Sequence, residues 1–149
     1  MGCCHSRTGA HQVPVGLEPG QVPSYVPPIC EGRVIKVYDG DTITVATPVP
    51  GSDDRTVYKF SVRLAGIDCP ELRSESNDER FMARNAQRAT SGQLLGKVVA
   101  LRNVRTEKYG RLLCDVWVGD RHINQWLINE GHAVAYEGGK RKQWISAAV

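Results

Sequence analysis

The sequence predicts a mainly β fold with added α-helices, arranged around one small closed barrel. Short segments rich in β-branched residues alternate in hydropathy and are separated by glycine, proline and aspartate turns. One long stretch with helical periodicity lies between the third and the fourth of these segments. The chain has 149 residues, of which 41% are hydrophobic, which suffices for one domain with a modest core.

Residues 33–38 and 42–46 predict the first two strands, joined by a tight turn. The first segment alternates, and we expect Val34 and Tyr38 to point inward. The dipeptide Asp39-Gly40 is a strong signal for a hairpin turn. Aspartate is common in such turns for conformational reasons alone, which accounts well for Asp39. It accounts less well for Asp41, because the second strand begins at that position.

The third strand leads into the most informative stretch of the chain. Its inward side chains are expected to be Tyr58, Phe60, Val62 and Leu64. Arg63 then points to the opposite face, and Pro70 ends the pairing within a turn that carries Asp68 and Glu71. An arginine can bind a phosphate, one carboxylate can hold a hard metal ion, and another can take a proton from water. A surface salt bridge is the alternative, and this stretch alone does not decide between them.

The stretch after this turn predicts the principal helix. Ser76 followed by Glu79 forms a capping box, so the helix should run from about residue 77 to residue 95 and end at Gly96. One face is expected to carry Met82, Ala86 and Ala89. Another face carries Arg80, Arg84 and Arg88. A solvated face is the preferred interpretation of these arginines, with nucleic-acid contact as the alternative.

The remaining elements complete a set of five strands. Residues 97–102 and 112–118 predict strands on either side of a turn at 106–111, and Gly119-Asp120 predicts a hairpin turn. A short helix is expected over about residues 124–130. The order of three strands, a helix, two strands and a helix fits a five-stranded OB-fold barrel with two to three added helices.

The first thirty residues predict a disordered N-terminal tail, with the folded domain spanning residues 31–149. Repeated proline and glycine leave no helical or strand periodicity in this segment. Gly2 with serine at position 6 fits the pattern for N-myristoylation, and Cys3 and Cys4 stand where palmitoylation commonly follows. A chance match within a disordered start is the alternative. Acylation would require eukaryotic machinery, in a cell or in the host of a virus.

Composition excludes several classes of protein and function. No apolar run is long enough to span a bilayer. The net charge of +3, from 19 basic and 16 acidic residues, is compatible with an anionic partner without requiring one. The five cysteines have no disulfide-like or zinc-like spacing, which favours a reducing compartment.

The chain resembles the staphylococcal nuclease, or thermonuclease, family over roughly residues 32–136. Four motifs carry the resemblance in order: residues 39–42, 63–71, 108–111 and 123–131. The resemblance implies an OB-fold barrel and metal-dependent cleavage of DNA and RNA phosphodiesters. An active enzyme is favoured because the five residues that match the family's catalytic and metal-binding positions are all present.

The resemblance also implies a role for individual residues. The Ca²⁺ ligands would be Asp41, Asp68 and the backbone carbonyl of Cys69, a position that is often threonine in the family. The catalytic residues would be Glu71 as general base and Arg63 and Arg111 as phosphate ligands. Tyr109 and Tyr136 would line the nucleotide site, and Asp39 would support the ligands from behind. Carboxylate oxygens are hard ligands that suit Ca²⁺ better than zinc or copper.

Two hypotheses about function follow, with a third that has less support. The first is a calcium-dependent nuclease, a monomer with no inferred protein partner, held by acylation at a membrane surface inside a eukaryotic or virus-infected cell. The second is a catalytically inactive OB-fold module that binds nucleic acid or protein. The third is a structural virion or membrane protein that retains the site by inheritance. Two departures from the family are a long loop at 47–55 and a C-terminal helix with room for little more than two turns after Lys140.

Overall fold

The computed structural model describes residues 12–53 and 55–145. Within these residues the chain forms eight strands, two α-helices and one short 3-10 helix. The strands are β1 (Glu31–Asp39), β2 (Thr42–Pro48), β3 (Val57–Leu64), β4 (Ile67–Asp68), β5 (Val98–Thr106), β6 (Leu112–Val118), β7 (Arg121–His122) and β8 (Val134–Ala135). The helices are α1 (Asn77–Leu94) and α2 (Ile123–Asn129), and the 3-10 helix is Pro19–Gln21.

Five strands close into the predicted OB-fold barrel. They lie in the order β3-β2-β1-β5-β6, with antiparallel pairing between neighbours. The barrel closes where β3 pairs with β6 in parallel, placing Arg63 opposite Leu113 and Leu64 opposite Cys114. The short strands β4 and β8 form a separate antiparallel pair beside the barrel. The predicted fold class is therefore confirmed.

The barrel interior is filled by branched aliphatic side chains. Its fully buried members include Val34, Ile43, Val45, Val62, Leu64, Val99 and Val116. The expectation that Tyr38 points inward is wrong, because its side chain is 43% exposed while Val37 is buried. The pairing of β1 with β2 shifts register between Val34 and Lys36, and this irregularity moves the inward position after Val34 from 36 to 37, which leaves Tyr38 facing outward.

Helix α1 packs against β1 and the turn that follows it. Its buried face is formed by Ala83, Ala86, Thr90 and Leu94. Met82 and Ala89 are only half-buried, so the predicted face was rotated from the true one. The Thr90 hydroxyl donates to the Gly40 carbonyl at 2.7 Å. The Gln87 amide donates to the Tyr38 carbonyl at 2.9 Å, so the helix holds the β1–β2 turn from below.

Gly40 allows this turn to approach the helix closely. A Cβ atom at position 40 would lie 2.8 Å from the Cβ of Ala86 and 2.8 Å from the sulfur of Cys69. Atoms at that distance overlap, so only glycine fits between the helix and the end of β4. The turn that carries Asp39 and Asp41 is therefore wedged against both elements.

Helix α2 is joined to the barrel through one buried amide. Asn124 is 3% exposed, and its Oδ1 accepts from the backbone N–H of Val116 at 3.0 Å. Its Nδ2 donates to the carbonyls of Ala65 at 2.9 Å and Cys114 at 3.3 Å. The amide thus links α2 to β6 and to the turn between β3 and β4.

The N-terminal part of the described chain meets the barrel shortly before β1. Residues 12–26 are exposed, while Ile29 is buried in the core and Leu101 donates to the Cys30 carbonyl at 2.8 Å. Folded contacts therefore begin shortly before the expected boundary at residue 31. Gly2, Cys3 and Cys4 lie outside the described residues. No helix in the described part of the chain is long and apolar enough to cross a membrane.

The expected short C-terminal helix is absent from residues 140–145, the part of it that the structure describes. Gly138 and Gly139 have φ values of +101° and +92°, in the left-handed region that interrupts regular structure. Residues 141–145 form neither helix nor strand, and the Trp144 side chain is buried.

Candidate active site

Every predicted site residue that the structure describes lies in one cleft at an end of the barrel. The cleft has a volume of about 620 Å³ and is bounded by the β1–β2 turn, the ends of β3 and β4, and the β5–β6 loop. Its walls include Asp39, Asp41, Arg63, Asp68, Cys69, Glu71, Tyr109, Arg111 and Tyr136. These residues come from separated parts of the sequence, and the closed barrel brings them together.

Asp41 and Asp68 form the acidic centre of the cleft. Their residues are 6% and 4% exposed. The Asp41 carboxylate accepts from the backbone N–H of Cys69 at 3.0 Å and from the Thr42 hydroxyl at 3.2 Å. Asp68 is held by β4, where it pairs with Val134 of β8. Two buried carboxylates in one cleft need a positive charge between or beside them.

Arg63 lies against both carboxylates. Its Nη2 is 3.7 Å from Asp41 Oδ2 and 3.5 Å from Asp68 Oδ1. The same nitrogen donates to the Ile67 carbonyl at 3.0 Å, and the guanidinium lies 5.8 Å from the centre of the Tyr136 ring. Because Arg63 is on β3 next to the parallel β6 pairing, its position depends on barrel closure.

Asp39 supports Asp41 from behind. Its Oδ1 accepts from the backbone N–H of Asp41 at 3.3 Å. Burial, followed by the nearby charge of Asp41, raises the pKa of Asp39 to about 7. The raised pKa therefore reflects mainly the burial of the Asp39 carboxyl group and, second, the repulsion between its charge and that of Asp41.

The described residues of the cleft offer a small set of oxygen atoms of the kind that Ca²⁺ binds. Among the described residues, no group of three or more His, Cys, Asp or Glu side chains is arranged to hold a metal. The predicted set instead combines two carboxylates with a main-chain carbonyl, that of Cys69. Burial raises the pKa of the Cys69 thiol, so its sulfur stays neutral and is not a thiolate ligand. Hard oxygen ligands of this kind suit Ca²⁺ better than zinc.

Arg111 has a partner that the sequence did not reveal. Its Nε and Nη2 donate to the two carboxylate oxygens of Glu107 at 3.1 and 3.2 Å. Glu107 also accepts from the backbone N–H groups of Tyr109 and Arg111, so it organises the β5–β6 loop. The hydrogen bonds from Arg111 lower the pKa of Glu107. The four-residue spacing of Glu107 and Arg111 is the signal that could have found this pair.

Glu71 lies at the mouth of the cleft, with 57% of its side chain exposed. Its backbone N–H donates to Glu79 Oε1 at 3.0 Å, and the Ser74 hydroxyl donates to the other oxygen of Glu79. Half of the predicted capping box forms, because the Ser76 hydroxyl accepts from the backbone N–H of Glu79 at 3.3 Å. In the other half of a capping box, the Glu79 carboxylate would accept from the backbone N–H of Ser76. Here it accepts from the backbone N–H of Glu71 instead and holds the turn that carries Glu71.

Two tyrosines flank the cleft. Tyr109 is 72% exposed on the β5–β6 loop, beside the ammonium of Lys108 at 4.9 Å from its ring centre. Tyr136 is half-buried, and its hydroxyl donates to the Gly139 carbonyl at 3.0 Å. Exposed aromatic rings beside basic groups suit the stacking of nucleic-acid bases.

Arg141 also enters the cleft, and sequence reasoning missed it. The sequence predicted only a short C-terminal helix in this region and gave Arg141 no part in the site. In the structure the Arg141 guanidinium pairs with Asp68 and Glu71 and donates to the Cys69 carbonyl. No local pattern links position 141 to position 68, so only the folded chain shows this contact.

Comparison with known proteins gives this arrangement a family. Residues 61–147 match the sequence profile described as Staphylococcal nuclease homologue, which is more than half of the chain. The chain belongs to the staphylococcal nuclease family. The resemblance seen in the motifs is thereby confirmed. The matched segment contains Arg63, Asp68, Glu71 and Arg111, while the turn with Asp41 precedes it.

Individual proteins are similar to this chain at a moderate level of sequence identity. A thermonuclease of Staphylococcus intermedius is 36% identical over 104 residues, covering 68% of this chain and 57% of the relative. An uncharacterized endonuclease of Escherichia coli O157:H7 is 32% identical over 107 residues, covering 71% and 61%. Endonuclease Htp3 of Saprolegnia parasitica is 28% identical over 116 residues, covering 70% and 55%. The chain thus spans somewhat more than half the length of these relatives.

Proposed function

We propose that the chain is a calcium-dependent nuclease that hydrolyses phosphodiester bonds of DNA and RNA. The observation that carries this proposal is the convergence of two buried carboxylates, one exposed carboxylate and two arginines on a single cleft. Membership of the staphylococcal nuclease family supports it, since the relatives include proteins named thermonuclease and endonuclease.

Asp41, Asp68 and the Cys69 carbonyl would hold the cation. When bound, a divalent cation neutralises phosphate charge and orients a water molecule for attack. The burial of both carboxylates fixes their oxygens, and the donors Thr42 and Cys69 N–H keep Asp41 from rotating. Asp39 supports the turn that carries Asp41.

Glu71 would act as general base. Its exposed carboxylate is accessible to water, while the contact between Glu79 and the Glu71 backbone keeps the turn in place. The three carboxylates therefore differ in role, because the buried pair suits cation binding and the exposed one suits proton transfer.

Arg63 and Arg111 would bind the non-bridging oxygens of the scissile phosphate. Charge that develops on these oxygens in the transition state is stabilised by donors that are already in position. Both arginines are held by carboxylates, Arg63 by the two aspartates and Arg111 by Glu107. Tyr109 and Tyr136 would contact the nucleotide bases or sugars on either side.

The alternative of an inactive OB-fold module predicts binding without cleavage. A module of that kind does not need carboxylates at positions 41, 68 and 71, yet all three line the cleft. The presence of this acidic set favours the enzyme.

Membrane anchoring is proposed from the sequence pattern alone. Gly2 would carry a myristoyl group and Cys3 or Cys4 a palmitoyl group, because a single myristoyl chain binds membranes only marginally. The exposed segment at 12–26 would then connect the anchor to the barrel as a tether. This proposal places the protein at a membrane inside a eukaryotic or virus-infected cell, as a monomer.

The test of nuclease activity is direct. Purified protein is incubated with plasmid DNA, single-stranded DNA and RNA, in excess Ca²⁺ or in excess chelator. Cleavage should require Ca²⁺, and Arg63→Ala should reduce the rate by about 10²–10³-fold, as expected for the loss of a preorganised donor. Arg88→Gln is the control because Arg88 is exposed on α1 and outside the cleft.

Equal rates in chelator would refute the metal dependence. Equal losses in the Arg63 and Arg88 variants would show that general positive charge, and no specific site, supports activity. Arg80 is a poorer control than Arg88, because it donates to the Ser74 carbonyl near the turn that carries Glu71.

A further inference from the structure

The last described segment, residues 137–145, crosses the cleft as a strap. It follows Tyr136, the first residue after β8, and turns through Gly138 and Gly139, both with positive φ. Gly138, Gly139 and Arg141 all line the cleft. The strap therefore forms one wall of the active site and begins directly after Tyr136.

The side chain of Arg141 takes up the oxygen atoms that the proposed function assigns to the cation and the base. Its Nε lies 3.1 Å from Asp68 Oδ2 and its Nη2 lies 3.3 Å from Asp68 Oδ1. The same Nη2 donates to the Cys69 carbonyl at 2.9 Å, and Nη1 pairs with Glu71 Oε1. Arg63, in contrast, approaches Asp68 no closer than 3.5 Å.

Trp144 holds the strap in this position. It is 7% exposed and lines a cavity of about 200 Å³ together with Pro70, Met82, Asn85 and His132. Pro70 directly follows Cys69, so the residue that anchors the strap borders the same small cavity as the turn that supplies the proposed carbonyl ligand. Burial of this large apolar ring system keeps Arg141 near the cleft.

We propose that Arg141 is an intramolecular competitor for the divalent-cation site. The guanidinium and the cation require the same oxygens of Asp68 and Cys69, so both cannot occupy them at once. Cation binding must first displace Arg141. The apparent affinity for the cation is therefore the intrinsic affinity multiplied by the fraction of molecules in which the guanidinium is already displaced. The strap thereby raises the cation concentration at which the cleft loads. This inference rests on the proposed cation site.

Competition of this kind also withholds the base. While Arg141 pairs with Glu71, the guanidinium occupies one carboxylate oxygen, which is then not free to bind an attacking water molecule. Displacement of one side chain therefore frees a cation ligand and the base together. Because Trp144 is three positions further along the chain, the displaced guanidinium stays close enough to return when the cation leaves.

The test is calorimetric titration of Ca²⁺ into the full chain without nucleic acid, so that it does not depend on catalysis. Arg141→Gln removes the competing charge and should bind Ca²⁺ about 3- to 10-fold more tightly than wild type, the range expected for a partly exposed charge pair. Lys140→Gln is the matched control, because it removes the same charge from the adjacent exposed residue, which does not line the cleft. Its affinity should stay within about twofold of wild type, as expected for a screened surface charge.

The possible outcomes separate the competitor from the site itself. Equal or weaker binding by Arg141→Gln overturns the competitor and leaves the cation site intact. An equal gain in both variants also overturns it, because general charge then explains the effect. No binding by any variant overturns the cation site and the competitor together. Trp144→Ala, checked for folding by circular dichroism, should give a gain in the same direction as Arg141→Gln.

Discussion

Replacing Asn124 with alanine tests whether one buried amide holds α2 and the cleft to the barrel. The amide makes three hydrogen bonds, to Val116, Ala65 and Cys114. The Cys114 carbonyl keeps another donor, the backbone N–H of Ala65 at 2.9 Å. The Val116 N–H and the Ala65 carbonyl each lose the Asn124 partner in a place that water does not reach.

The expected decrease in the free energy of unfolding follows from these two unpartnered groups. Each buried polar group without a partner costs about 1–3 kcal/mol, so we expect Asn124→Ala to lower the free energy of unfolding by about 3 kcal/mol. For a domain of this size that corresponds to a decrease in Tm of roughly 6–12 °C. Because Ala65 lies between Arg63 and the β4 residue Asp68, cation affinity should fall as well.

Urea denaturation followed by tryptophan fluorescence measures the change. Gln125→Ala is the control, since Gln125 is exposed and its amide contacts only the side chain of Asn129 on the surface. The control should change stability by less than about 0.5 kcal/mol. A loss of less than about 1 kcal/mol in the free energy of unfolding of Asn124→Ala, with an unchanged m value, would refute the view that the amide is essential.

Four further predictions concern the cleft and the tail. Cys69→Thr should retain Ca²⁺ affinity and most activity, because the thiol is neutral and the proposed ligand is the main-chain carbonyl; a large loss of affinity in calorimetry would contradict this. In chelator, the wild-type free energy of unfolding should fall as pH rises from about 4 to about 7, because the raised pKa of Asp39 means that the folded state binds this proton more tightly; urea titrations should show no such fall for Asp39→Asn. Mg²⁺ should support a lower rate than Ca²⁺ in the plasmid assay, because it demands stricter octahedral geometry, and an equal or higher rate would argue against the ligand set. Gly2→Ala should release the protein from membranes in fractionated eukaryotic cells and leave its nuclease activity in solution unchanged, whereas retention on membranes would refute the anchor.

The elements of this fold could be predicted where the sequence pattern is local. Strand alternation, the capping residue Ser76 and the hairpin signals are properties of neighbouring residues, and they placed α1 within one residue of its observed end at Leu94. The irregular pairing near Lys36 could not be predicted in this way. It depends on how β2 pairs with β1, and one shifted residue was enough to turn Tyr38 outward.

The candidate site divides in the same way. Residues within short motifs, such as Arg63 and Glu71, could be proposed from resemblance to the family, and the fold brings them together. Partners that are distant in the sequence could not be predicted. Glu79, in the first turn of α1, accepts a hydrogen bond from the Glu71 backbone, and Arg141 pairs with Asp68 although the two residues are 73 positions apart in the sequence. Such contacts depend on tertiary packing, which leaves no periodic signal in the sequence.

The parallel pairing of β3 with β6 determines when, during synthesis of the chain, the barrel can close. Arg63 leaves the ribosome early, but its neighbour across the closing seam, Leu113, is made much later, and Arg111 arrives with it. Contacts so distant in sequence form slowly, because the loop between them must close first. A growing chain therefore carries Asp41 and Arg63 without Arg111 until β6 has been made. The cleft proposed as the active site is thus complete only after nearly the whole barrel has been synthesised.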